Sequence, residues 1–229
     1  MTELNRIYFR KIWRRERRLF KRDLNNWFKA LSSEERRKVV KAFYKEGLKA
    51  KLFEHEVNAL LYFYFGISLF NVGRYWKTIQ ILNLPTWILK EIVKIGNEVG
   101  VWGYWKVSHK LFEKHKVWVS SNLVYLFLTR FDVEKTIKIK EEYDKALTRA
   151  LRNVEGIHQD FILAIEENAK DLPSIYAEFA EKFKEIDLQD LFFYVNACTY
   201  YTALIDSALI DKVVEKIGLN PEFGWYHAI

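Results

Sequence analysis

Residues 74–96, RYWKTIQILNLPTWILKEIVKIG, are written as two short amphipathic helices that meet at a corner. Trp76, Ile79 and Leu82 recur at three-residue steps in the first, and Ile88, Leu89, Ile92 and Val93 recur with helical spacing in the second. Each therefore has one face to bury. Asn83-Leu84-Pro85 divides them, and Pro85 suits the start of the second helix, because its ring presets φ and its missing N–H would have no intrahelical partner there.

The same residues resemble the helix-turn-helix of winged-helix transcription regulators, in which a Leu-x-Leu-Pro turn leads into a recognition helix. Here the turn is Leu82 to Pro85, and the apolar positions four, seven and eight after the proline are Leu89, Ile92 and Val93. The resemblance covers about a tenth of the chain. It implies double-stranded DNA as partner, with Thr86, Trp87, Lys90 and Lys94 on the recognition helix near base edges. Arg74 and Lys77 would hold phosphates from the preceding helix, with the Val57–Phe70 segment as supporting helix. Val99–Val107 and Val117–Ser120 would be the two strands of a wing, bringing Lys106, Lys110, Lys114 and Lys116 to the adjacent phosphates. Val107, Leu111 and His115, at four-residue steps, read equally as a helix, and the 74–96 unit reads equally as an ordinary helical hairpin.

Outward from this stretch the composition is that of a helical globular protein. Half of the 229 residues are hydrophobic and 17% aromatic, while Gly and Pro together number 12, which fits neither disorder nor a loop-rich β protein. Cys198 is the single cysteine, so no intrachain disulfide forms, and a reducing cytoplasm is the simplest setting. Abundant Lys, Glu and Ile with one Met and one Cys match the bias of thermophile proteins. The N-terminus lacks the apolar stretch of a secretory signal. Val57–Gly73 is uncharged for 17 residues, the lower limit for a membrane span, and reads as a buried helix. The aromatic residues, eight tryptophans among them, read as stacking platforms or as core, and core is the preferred reading because most of the tryptophans lie in apolar-periodic runs.

Charge is divided along the chain. Residues 1–130 hold 26 Lys plus Arg against 11 Asp plus Glu, or +15, and residues 131–229 hold 11 against 19, or −8. We expect a basic helical domain over 1–130 and an acidic one over 131–229, the first facing an anionic polymer, of which nucleic acid is the commonest. Residues 3–30 read as a helix with Arg14, Arg15, Arg17 and Arg18 among its cations and an apolar edge of Ile12, Phe20, Leu24, Trp27, Phe28 and Leu31. Such a helix suits phosphates, and the same pattern also suits anionic lipid.

Ser32 and Glu35 have the spacing of a capping box that opens the next helix. In the second half, helices are expected from Asp132 to about Lys170, over 175–185 after a cap at Ser174, and from Leu188 to Ile217, ended by Gly218. Leu191–Ile205 is too apolar for a single stripe and reads as the core of this unit or a homodimer seam within 188–217.

Glu155-x-x-His158 is the one pattern of catalytic type, since i and i+3 share a helix face, but the chain has one such pair where di-iron bundles use two. No phosphate-binding loop, dinucleotide fingerprint, nucleophile elbow or His-Glu-x-x-His occurs. The expectation is an all-α bundle with a helix-turn-helix unit, at most a two-stranded wing, no catalytic residue, no cofactor and no metal. Its DNA contacts would come from Arg14, Arg15, Arg17, Arg18, Arg74, Lys77, Thr86, Trp87, Lys90, Lys94, Lys106 and Lys110. The rival reading is a helical interaction or scaffold protein that docks on a membrane surface through its basic N-terminal helix, and a third is a metal-dependent enzyme built on Glu155 and His158.

Overall fold

Helix ends are set where short-range chemistry sets them. Glu35 N–H donates to the Ser32 hydroxyl at 3.2 Å and Ser32 N–H to the Glu35 carboxylate at 2.8 Å, which closes the capping box. The computed structural model describes residues 3–100, 103–198 and 200–221, and within them the side chains of all but residues 3–8, 72 and 74. The helices are α1 (Glu3–Ala30), α2 (Ser33–Lys49), α3 (Glu54–Phe65), α4 (Trp76–Leu82), α5 (Thr86–Val99), α6 (Tyr104–His115), α7 (Ser121–Arg130), α8 (Val133–Glu167), α9 (Leu172–Glu185), α10 (Leu188–Ala197) and α11 (Ala203–Glu215). Among the described residues there is no strand, so the protein is all-α. No described helix is long and apolar enough to cross a membrane.

The chain forms two compact units, Met1–Phe70 with Ala146–Ile229, and Asn71–Lys145, rather than dividing at residue 130. Within the first, α11 is the central helix. Ala203 through Ile210 are all buried, as are Val213 and Val214, and α1, α2, α9 and α10 pack around them. The apolarity for which a dimer seam was one explanation is thus consumed inside the unit. Gly47 lets this core close: a Cβ there would lie 2.8 and 2.9 Å from the two Val57 methyls. The helix expected to run from Leu188 to Ile217 is instead two, α10 ending at Ala197 and α11 beginning at Ala203, for a reason taken up below. α3 stops at Gly66, in the left-handed region at φ 69°, and the polar residues of the uncharged run tie the returning chain. Asn58 accepts from Leu69 N–H at 2.7 Å and donates to the Ser68 hydroxyl at 3.3 Å.

In the second unit the proline corner forms as its residues suggest. Asn83 N–H and Leu84 N–H close α4 on Ile79 and Ile81 carbonyls, and Pro85 caps α5. Ile81, Ile88, Leu89, Ile92 and Ile95 meet Val107, Leu111, Val119, Val124 and Phe127 in one core. Two expectations are corrected here. Of the residues expected to form a wing, 104–115 are the helix α6, whose inward face of Val107, Ser108 and Leu111 recurs at helical spacing, with Lys116 as its left-handed cap at φ 58°; 117–120 form no strand, and 101–102 lie outside the described residues. The expected supporting helix, α3, belongs to the first unit, and α5 packs instead on α6 and α7.

Candidate nucleic-acid interface

The buried seam of α1 is Phe9, Trp13, Phe20, Leu24 and Phe28, and Glu16 falls within it, fully buried. Between residues 10 and 22 Glu16 is the single acid. Its burial leaves that stretch of the outward face without a carboxylate: Arg10, Lys11, Arg14, Arg15, Arg18, Lys21 and Arg22 are all exposed. Seven cations thus line about 18 Å of helix axis at about 1.5 Å per residue. Ring contacts orient two of them, Arg10 4.8 Å over Tyr200 and Lys21 4.2 Å over Phe63. Arg22 pairs with Asp23 at 3.2 Å, just beyond the acid-free stretch.

Two adjacent residues of α1 turn inward, and both serve α11. The Glu16 carboxylate accepts from the Thr202 hydroxyl at 2.9 Å and Ala203 N–H at 3.1 Å, and also from Tyr176. Thr202 is the N-cap of α11. A carboxylate placed there meets unpaired amides and the positive end of the helix dipole. This capping starts a new helix at Ala203 in a run that has no glycine or proline to break it. Burial holds the Glu16 carboxyl above the ordinary carboxylate range, against the hydrogen bonds from Tyr176, Ala203 and Thr202. Arg17, expected on phosphate, faces Asp206 at 3.5 Å with its guanidinium 4.0 Å from the Tyr201 ring. Asp206, wholly buried, also accepts from Tyr201 at 2.8 Å and from Tyr64.

At the C-terminal end of α1 an open groove of about 640 Å³ runs between α1 and α2, with Phe28, Val40, Phe65 and Ile67 as its apolar lining and Lys29, Arg36 and Arg37 as its charges. It contains no acidic residue. Arg36 and Arg37 directly follow Glu34 and Glu35 in the sequence, and folding joins them to Lys29.

In the second unit the residues expected on a recognition helix separate into two groups. Thr86 donates to Asp144 at 2.5 Å, and Lys90 pairs with Glu141 at 2.5 Å, both partners on the N-terminal part of α8. Trp87 and Lys94 are exposed, as is Lys77 on α4; the side chain of Arg74 lies outside the described residues. Lys106 is exposed, and Lys110 reaches Glu98 at 3.4 Å. The assignment of the tryptophans to the core is corrected: Trp76, Trp87, Trp105 and Trp118 are 58, 48, 58 and 60% exposed, and all four lie in this unit. The signal that could have found Trp105, His109, Phe112 and Lys116 is their spacing of four, three and four, an outward stripe legible once the region is read as a helix.

His158 and Glu155 do not share a surface. His158 is buried, with Nδ1 2.9 Å from the Tyr194 hydroxyl, while Glu155 is exposed. Burial lowers the His158 pKa to about 4, which keeps the imidazole neutral near pH 7. Among the described residues no group of three or more His, Cys, Asp or Glu side chains could hold a metal ion. Residues 222–229, which include Trp225, Tyr226 and His227, lie outside the described residues.

No family model, curated protein or solved structure matches the chain.

Proposed function

We propose that this is a nucleic-acid-binding protein that holds duplex DNA by its sugar-phosphate backbone, with the outward face of α1 as the principal contact. One observation carries the reading: burial of Glu16 removes the only carboxylate from a stretch of seven exposed cations. A merely solvated helix would interleave acids with its bases, as α2 does with Lys38 and Glu34. Arginine is the better phosphate ligand of the two bases, since its planar fork matches phosphate oxygens. Lys29, Arg36 and Arg37 extend the same surface at the end of α1. Membrane docking by insertion of α1 is the weaker alternative, because the apolar face that would enter the lipid interface is occupied by the core of the first unit.

As a gene regulator the protein would also need a reading element, for which the resemblance nominates α5. With Thr86 and Lys90 engaged by α8, that helix presents Trp87 and Lys94. Backbone holding therefore accounts for more of the exposed chemistry than base reading does.

The test is duplex binding of random sequence, measured by fluorescence anisotropy at several salt concentrations. Replacing Arg14, Arg15 and Arg18 with Ala should flatten the slope of log K against log salt by about 2 to 3, at about 0.9 for each phosphate no longer neutralised. An unchanged slope, or pelleting with anionic vesicles in place of DNA binding, would remove α1 from the interface.

A further inference from the structure

We propose that the outward face of α6 is a stacking platform for the unpaired bases of a single-stranded nucleic acid. The proposal rests on the nucleic-acid reading and gives it a second site, on the other unit, with a different substrate form. Trp105, His109 and Phe112 stand at i, i+4 and i+7 on α6, and Trp118, three residues beyond the end of the helix, folds back on them. Their centroids are linked in a chain, 5.5 Å from Trp105 to His109, 5.7 Å from His109 to Trp118 and 6.2 Å from Phe112 to Trp118. Trp105, Phe112 and Trp118 are 58, 45 and 60% exposed. Scattered exposed aromatics need no explanation, but a contiguous set on one helix face does. These rings are not surplus core, because α6 already buries Val107, Ser108 and Leu111 on its other side.

The charges around the rings select the occupant. Lys106 and Lys116 are exposed and the Lys116 ammonium sits 5.8 Å from the Phe112 ring, while Lys110 and Lys114 reach Glu98 and Glu91 of α5 at 3.4 and 2.6 Å, exposed ammonium groups that a phosphate can compete for. An apolar protein partner would desolvate those ammonium groups without return. A single strand presents what the surface lacks: π faces to lie against the rings, and a phosphate near each base to meet a lysine. Duplex DNA fits poorly, since its bases are stacked on one another and their faces are closed. The two surfaces thus divide the chemistry, a row of mostly arginines on α1 and a contiguous chain of rings among lysines on α6.

The experiment titrates the full chain with an oligothymidylate of roughly 12 nucleotides, a length within the usual span of single-strand sites, and with a duplex of random sequence. Tryptophan quenching and anisotropy are read together. The single strand should quench tryptophan emission. Trp118→Ala should weaken its binding about tenfold and Trp105→Ala with Trp118→Ala more than that, with duplex affinity changed less than twofold. Trp118→Phe, which keeps a π face, should recover most of the loss. Equal single-strand binding by wild type and the double variant overturns the platform. So does a double-variant loss shared equally by the duplex, or a surface that takes up anionic vesicles while ignoring the oligonucleotide. Arg14, Arg15 and Arg18 replaced by Ala separate the two readings. If that variant loses duplex binding while the α6 variants leave the single strand untouched, α1 stands and the platform falls; if wild type binds neither nucleic acid, both fall. Thermal melts of each variant confirm that exposed-ring substitutions leave the fold intact.

Discussion

The α1 face and the α6 face dispose of charge in opposite ways. Beside α1 two acids go inside: Glu16, and Asp206 of α11 facing Arg17, are sequestered with tyrosines and a helix N-terminus, and a row of bases remains exposed outside. In the second unit the acids stay on the surface and hold lysines there, Glu141 on Lys90, Glu91 on Lys114 at 2.6 Å and Glu98 on Lys110, while large rings are left in solvent. The overall charge does not reveal this. The first unit holds 24 Lys plus Arg against 22 Asp plus Glu, or +2, and the second 13 against 8, or +5. The nearly neutral unit has the cleaner cationic face, so the local arrangement of charge says more about a polyanion surface than the total.

Disturbing the buried acids should give the largest effect. Asp206→Ala removes the buried acceptor of the Tyr64 and Tyr201 hydroxyls and leaves the partly exposed Arg17 without its partner, and buried hydroxyls left unsatisfied in this way cost about 2 to 4 kcal/mol together. Urea unfolding followed by circular dichroism would show it as a shifted midpoint. A loss below about 1 kcal/mol would mean that water reaches the cluster, and the contrast between a dry charge network and a wet one would fail.

The same contrast should appear in pH. The His158 pKa is lowered to about 4 by burial, against 6.5 when the chain is unfolded. Between those values the unfolded chain binds a proton that the folded one refuses, so stability holds above pH 6.5 and falls on acidification towards pH 4, by about 3 kcal/mol in full. His158→Phe should remove that part of the acid slope. Identical acid profiles for the variant and wild type would place the imidazole in contact with solvent.

What could be read in advance was local. Ser32 with Glu35, the proline at 85 and the positive-φ Gly218 are signals between near neighbours, and each marks a real helix boundary. Trp87 and Lys94 were readable as outward residues because helical spacing alone places them opposite Leu89 and Ile92. Glu16 was not readable: a glutamate among arginines looks solvated, and the groups that bury it lie 160 to 187 residues away. The same distance hid the break before Ala203. Wing and helix were both legible over 99–120, because Trp, Tyr and Val favour strands in general while Val107, Leu111 and His115 recur at four-residue steps; the helix forms because a helical face is needed against α5 and α7.

The smallest effect should come from Lys90 and Glu141, and it bears most directly on the resemblance to winged-helix regulators. Their pair joins two side chains that both keep substantial contact with solvent, and such pairs are screened by salt and contribute little. A double-mutant cycle with Lys90→Ala and Glu141→Ala should give a coupling no larger than the scatter of replicate melts, vanishing at high salt. Duplex affinity should be equally indifferent to Lys90→Ala, because the ammonium is already held by a carboxylate of its own unit. A clear loss of duplex binding in that variant, larger than the loss on removing an α1 arginine, would reverse the ranking of the two surfaces. It would mean that Glu141 releases Lys90 to DNA and that α5 reads the duplex as a recognition helix does, with the surface acids of the second unit acting as placeholders for phosphate.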